Sequence, residues 1–229
     1  MKKNRIGILL SALLLAAMAI VPCVSAAQAS NYDFSGLSTP TAANAVYYQN
    51  QMGYNPQMTT DAWADDAYDD MENDAIFFFN GHGILENGVN GGGIAFTNYR
   101  IVASNPDSGD YSLNYLNNEM RDLLLAVYDG CYTGRTSANH GNLVDMSITK
   151  GADNVIGFTG LIGATKSNYW SDQFWYRTRT GESIGSAAVN AKNDAYFYGT
   201  RGYDGVDTLV VKGSNPSNTY LTPARMGNY

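Results

Sequence analysis

Reactive sulfur and imidazole are scarce in this 229-residue sequence, which holds two cysteines and two histidines. Cys23 lies in the expected amino-terminal signal segment, so once that segment is removed Cys131 stands alone and no internal disulfide can form. Basic residues are also few. Fourteen Lys and Arg against 21 Asp and Glu give a net charge of −7, which argues against a nucleic-acid or anionic-membrane surface. Internal repeats, an interdomain linker and any membrane-length apolar run beyond Ile20 are missing. What is present is a chain 45% hydrophobic and only 15% charged, which excludes wholesale disorder. Its length suits one domain with a full core.

Lys2, Lys3 and Arg5 precede an apolar run from Ile6 to Ile20. Pro22 and two small-residue patterns follow, Val24-Ser25-Ala26 and Ala27-Gln28-Ala29. This arrangement predicts a secretory signal peptide over 1–29 and a single α/β domain over 30–229. Pro22 directly before Cys23 is a poor setting for lipid attachment, so release from the cell is expected, with no membrane contact after cleavage. Residues 30–40 are polar and unpatterned, and 30–52 reads as a lead-in or propeptide.

Periodicity predicts helices at Thr41–Met52 and Thr60–Met71, the second opened by a Thr/Asp cap. Four continuous apolar runs follow, at Asp74–Phe79, Leu123–Tyr128, Asn154–Phe158 and Asp207–Val211. Runs without alternation are what strands buried on both faces require. Helical segments at Asn114–Arg121, Asn142–Lys150, Tyr169–Arg177 and Glu182–Tyr196 separate or follow them. The alternation predicts a three-layer αβα sandwich around a mainly parallel sheet. Trp170, Phe174, Trp175 and Tyr176 read as core packing. Asp61, Asp65, Asp66, Asp69 and Asp70 could hold Ca²⁺, but their spacing is not an EF-hand loop and a solvated helix face is the stronger reading; no other cofactor is expected. The glycine-rich stretch Glu86–Gly93 lacks the Lys-Ser/Thr of a phosphate loop and reads as a flexible pocket wall.

The first buried run ends in Asn80-Gly81-His82-Gly83 and the second in Asp129-Gly130-Cys131. Functional groups in parallel sheets gather beyond the carboxyl ends of strands, and adjacent strands would bring His82 and Cys131 together. A thiolate is the nucleophile for acyl transfer, an imidazole can activate it and protonate the departing amine, and the amides of Gly83 and Cys131 could hold the oxyanion. His140 is the other imidazole within reach in sequence, but no strand fixes it, and it reads as an isolated surface residue. A buried, inert cysteine is the alternative for Cys131.

Strand-Gly-His-Gly followed about fifty residues later by strand-Asp-x-Cys resembles the caspase-like (clan CD) cysteine peptidases, a group holding caspases, metacaspases, legumains, clostripain and gingipains. Ala152–Gly160 is similar to the strand after the nucleophile in that group, and Glu182–Lys192 to a late helix. The likeness is nearest to metacaspase, clostripain and gingipain types, because the caspase-specific residues around the cysteine are replaced by Tyr128-Asp129-Gly130-Cys131-Tyr132. The resemblance implies Cys131 as nucleophile, His82 as general acid/base and Gly83 with Cys131 in the oxyanion hole. It also implies Asp129 as the floor of a pocket for Arg or Lys before the scissile bond of a peptide or protein substrate, although Asp129 could equally hydrogen-bond turn amides. The strand that opens the family's fold is not legible after Ser30. Two other readings compete: an inactive caspase-like surface or binding protein, and a sortase-type transpeptidase, which would need a β-barrel.

Overall fold

The computed structural model describes residues 26–33, 41–86, 89–117 and 119–227; most of the expected signal peptide lies outside them. Six strands form the main sheet: β1 (Gln28–Asp33), β2 (Asn55–Thr60), β3 (Ile76–Asn80), β8 (Leu125–Asp129), β9 (Asn154–Phe158) and β10 (Leu209–Gly213), in the order β10-β9-β8-β3-β1-β2. All neighbours are parallel except β10, which closes one edge antiparallel to β9. Four short strands, β4 (Gly83–Glu86), β5 (Val89–Ala95), β6 (Arg100–Val102) and β7 (Tyr111–Ser112), make a separate small sheet. The stretch expected to be a loose glycine-rich wall is therefore largely a β4–β5 hairpin.

Helices α1 (Thr41–Met52), α4 (Ala164–Arg179) and α5 (Ile184–Phe197) cover one face of the main sheet. Helices α2 (Ala64–Asn73) and α3 (Leu143–Thr149) cover the other. Strand β3 shows why its run carries no alternation. Ile76 and Phe78 pack toward α1 and α4 while Phe77 and Phe79 pack toward α2, and every one is buried. Trp170, Phe174 and Trp175 of α4 are fully buried in the core against the sheet, whereas Tyr176 is 41% exposed.

Three elements depart from the sequence expectations. An opening strand does exist: β1 lies inside the sheet between β2 and β3 despite its polar sequence. Its polar side chains are satisfied by distant partners. Asn31 and Gln49 exchange two amide hydrogen bonds at 2.7 and 2.8 Å, Ser30 donates to Asp74, and Tyr32 donates to Asp70. The predicted Thr60–Met71 helix begins only at Ala64, because Thr60 is the last residue of β2 and Asp61, at a left-handed φ of 54°, turns the chain before the helix starts. Its first turn is capped by Asn98, whose Oδ1 accepts from the Ala64 amide at 2.8 Å. The Asn114–Arg121 helix is instead two 3₁₀ turns, Leu113–Tyr115 and Glu119–Asp122, since Lys150 donates its ammonium to the Asn114 and Leu116 carbonyls.

The Asn31–Gln49 pair yields a stability prediction. Gln49→Leu leaves the Asn31 amide oxygen buried without this donor and is expected to cost about 1–3 kcal/mol in urea unfolding. Asn31→Leu with Gln49→Leu should recover part of that loss, and a double variant no more stable than the single one would contradict the account.

Candidate active site

The carboxyl ends of β3 and β8 are joined through backbone. The Gly81 amide donates to the Asp129 carbonyl at 3.0 Å. A Cβ on Gly83 would stand 1.7 Å from the Cys131 carbonyl oxygen, and one on Gly130 would stand 2.7 Å from the Gly81 oxygen. Only hydrogen at Cα allows the two turns to touch in this way. The His82 carbonyl accepts from the Ala95 amide at 2.9 Å, so in the antiparallel β4–β5 ladder Gly83 faces Ile94 at a non-hydrogen-bonded position. The Gly83 amide therefore points away from β5.

The turn after β8 is held from beneath. The Thr133 hydroxyl lies 2.8 Å from the Tyr128 carbonyl and accepts from the Phe158 amide at 3.1 Å. Tyr132 adopts a left-handed φ of 60°, and its amide donates to the Gly160 carbonyl at 2.9 Å. This fixes Cys131 in a half-buried position with its Sγ 3.4 Å from the Ile162 amide, which donates to it. Cys131 is a free thiol. His82 is exposed.

His82, Cys131 and Asp129 line one cavity of about 110 Å³, walled by Ile162 and by Ala164, Ser167 and Asn168 at the start of α4. A larger hollow, about 620 Å³, opens at the opposite, amino-terminal end of the strands, and among the described residues no histidine, cysteine or acidic side chain lines it. The candidate nucleophile, imidazole and carboxylate therefore all border the smaller cavity.

Asp129 is 1% exposed at the cavity floor. Its carboxylate accepts from the Ser167 hydroxyl and from Asn80 Nδ2, the latter at 3.1 Å. Burial pushes its pKa up to about 6; the Ser167 and Asn80 hydrogen bonds pull it down, and the charge of Asp33 raises it. Asp33, Asn80 and Asp129 occupy matching register positions on β1, β3 and β8, so three polar side chains form a row across adjacent strand ends. Burial also raises Asp33 to about 6. Carboxylates shifted upward in this way favour the folded state most at acid pH, and that contribution is lost as pH rises through about 6.

The structure brings His82, Gly83, Asp129 and Cys131 to one place. His140 is elsewhere and is not a surface residue: it is 3% exposed, its Nδ1 lies 3.0 Å from the Asn105 carbonyl, and a Cβ on Gly92 would stand 2.8 Å from its own Cβ. The acidic cluster on α2 is partly engaged, with Asp70 accepting from Tyr32 and Asp65 from Asn98 at 3.5 Å. Among the described residues, no group of His, Cys, Asp and Glu is arranged to hold a metal ion. Asn80, Ser167, Asp33 and Ile162 are site neighbours that sequence reasoning did not single out. Asn80 was open to inference as the last residue of β3 before Gly81-His82. Nothing local marks Ser167, which reaches Asp129 only through the packing of α4.

No protein-family model matches the sequence, and no curated protein sequence matches it either. The likeness is to solved structures. Gingipain R, an Arg-specific cysteine proteinase, superposes with a TM-score of 0.61 at 13% identity over 84% of this chain and 47% of its own. The complex of Porphyromonas gingivalis RgpB pro- and mature domains gives 0.58 at 13% identity over 85% and 48%. Separase, in the Saccharomyces cerevisiae separase–securin complex, gives 0.51 at 13% identity over 88% of this chain and 13% of its own. This chain spans about half the length of the gingipain chains, and less of separase. At such identities the likeness is one of fold, which is caspase-like.

Proposed function

We propose that this chain is an exported cysteine endopeptidase that cleaves after Arg or Lys through a His82/Cys131 dyad. The observation that carries the reading is the backbone contact of Gly83 with Cys131, which sets a thiol and an imidazole around one cavity with a buried carboxylate at its floor. The caspase-like fold shared with gingipain R adds support. Among the described residues the strands form a mainly parallel open sheet and a small four-stranded one, not the β-barrel a sortase-type site needs.

In this mechanism His82 takes the thiol proton as Cys131 Sγ attacks the scissile carbonyl carbon. The oxyanion that forms is met by the amides of Gly83 and Cys131, and a preorganised donor of this kind contributes roughly 3–4 kcal/mol. Collapse expels the amine, protonated by His82, and leaves a thioester on Cys131. Water, deprotonated by His82, then attacks the thioester carbonyl and releases the acid and the thiol. The side chain preceding the cut bond enters the cavity, where a guanidinium or ammonium faces the Asp129 carboxylate.

The test is release of a fluorophore from peptidyl-Arg, peptidyl-Lys and peptidyl-Asp amides. Cleavage of the Arg or Lys amides and not the Asp amide is expected; no turnover of any of them removes the peptidase reading and leaves an inactive binding protein of the same fold. Asp129→Asn is expected to lower kcat/KM for the basic substrates by about 100-fold, mostly through KM, because a desolvated charge pair becomes a neutral hydrogen bond. The same pairing requires ionised Asp129, so KM for these substrates should rise as pH falls below about 6, and Asp129→Asn should flatten that limb. A variant that keeps the wild-type acid limb would assign it to another group.

A further inference from the structure

The chain carries two small-residue patterns that a signal peptidase could read, one ending at Ala26 and one at Ala29. We propose that export cleavage falls between Ala26 and Ala27 and leaves Gln28 and Ala29 in the mature protein; the proposal rests on the export part of the reading above. Exposure changes sharply along this segment. Ala26 and Gln28 are exposed and Ala27 is half-buried, whereas Ala29 is fully buried and Ser30 and Asn31 are 6% and 1% exposed. The bond after Ala26 lies in an open entry beside the large amino-terminal hollow, which Ala26 and Ala27 border together with Ala224 and Arg225. The bond after Ala29 lies between two buried residues of an interior strand.

The three residues between the two positions are also bonded into the sheet. The Ala27 carbonyl accepts from the Asn55 amide at 2.9 Å, and the Gln28 carbonyl accepts from the Ala75 amide at 3.0 Å. The Gln28 side-chain oxygen accepts from Asn55 Nδ2 at 2.8 Å. Ala29 pairs with Pro56 on one side and Ile76 on the other, and its methyl belongs to the core shared with α1 and α4. Cutting after Ala29 removes the first two residues of β1 and orphans amides on both of its neighbours. Cutting after Ala26 removes none of these contacts. In chemical terms one water is consumed, the Ala26–Ala27 amide is broken, and an Ala26 carboxylate and an Ala27 ammonium are formed.

The full-length chain is to be expressed in an export-competent bacterial host and the exported protein subjected to amino-terminal sequencing and intact-mass measurement. A first residue of Ala27 is expected. An exported protein beginning at Ser30, or at any residue other than Ala27, overturns the cleavage position while leaving export intact. A protein retained in the cell and beginning at Met1 overturns the export reading itself, and this position with it. A second measurement addresses the physical reason: protein produced to begin at Ser30 should melt roughly 5–10 °C below protein beginning at Ala27. Equal melting temperatures would remove the structural ground for the position.

Discussion

Replacement of Cys131 by Ala is expected to reduce hydrolysis of an Arg- or Lys-ended peptide amide by about 10⁴-fold or more, with little change in thermal stability. The large factor follows from the division of labour in the proposed dyad. Without the sulfur no thioester forms, and the remaining groups can only orient water. The small stability change follows from the position of the side chain, which is half-buried and exchanges contacts chiefly with the Ile162 backbone. The measurement pairs progress curves at high enzyme concentration with a thermal melt. Activity within tenfold of wild type in the variant would show that Cys131 is not the nucleophile. A large drop in melting temperature together with lost activity would assign Cys131 a packing role instead.

Gly83→Ala is the second substitution expected to act severely, and it acts through geometry alone. The added methyl would meet the Cys131 carbonyl oxygen at 1.7 Å and its carbon at 2.9 Å, and both belong to backbone that Thr133 and Gly160 hold in place. No side chain can swing aside to relieve the clash, so the turns after β3 and β8 must separate. That moves His82 away from Cys131 and withdraws the Gly83 amide from the oxyanion position. Loss of one oxyanion donor costs about 10²–10³-fold in kcat, and displacement of the imidazole adds to it. The expected result is a fall of at least about 10³-fold in kcat, with Cys131 still alkylated by a small haloacetamide because the thiol remains in the folded protein. Wild-type turnover by Gly83→Ala would mean that the two turns need not touch for the reaction.

Much of this site was legible before any coordinates. The runs ending at Asn80 and Asp129 lack alternation because β3 and β8 are covered on both faces, and such strands place whatever follows them at the carboxyl edge of a parallel sheet. His82 and Cys131 follow them directly. Helix α1 was also readable to the residue, since Gly53, with a φ of 95°, ends it in the left-handed region that glycine favours. By contrast, β1 was hidden because hydrophobic patterning is blind to a polar strand. The residues Ser30, Asn31 and Tyr32 are buried through partners 18 to 44 positions away. His140 was misplaced for a related reason: a polar stretch reads as surface, but here the β4–β5 hairpin and the Asn105 carbonyl enclose the ring.

The amino-acid order alone determined the class of fold and the pair of strand ends at which a thiol and an imidazole would meet, because burial on both faces and glycine's freedom near Cα are properties of short segments. Tertiary structure alone decided how closely those ends approach, that Asp33 joins Asp129 in one row of strand ends, and how Asp129 is hydrogen-bonded. Asp129 is held by Ser167 from α4 and by Asn80 from β3, and it feels the charge of Asp33 at the end of β1. Contacts of that kind join residues tens of positions apart, and no local periodicity encodes them; they exist only once the sheet has ordered its strands and the helices have docked.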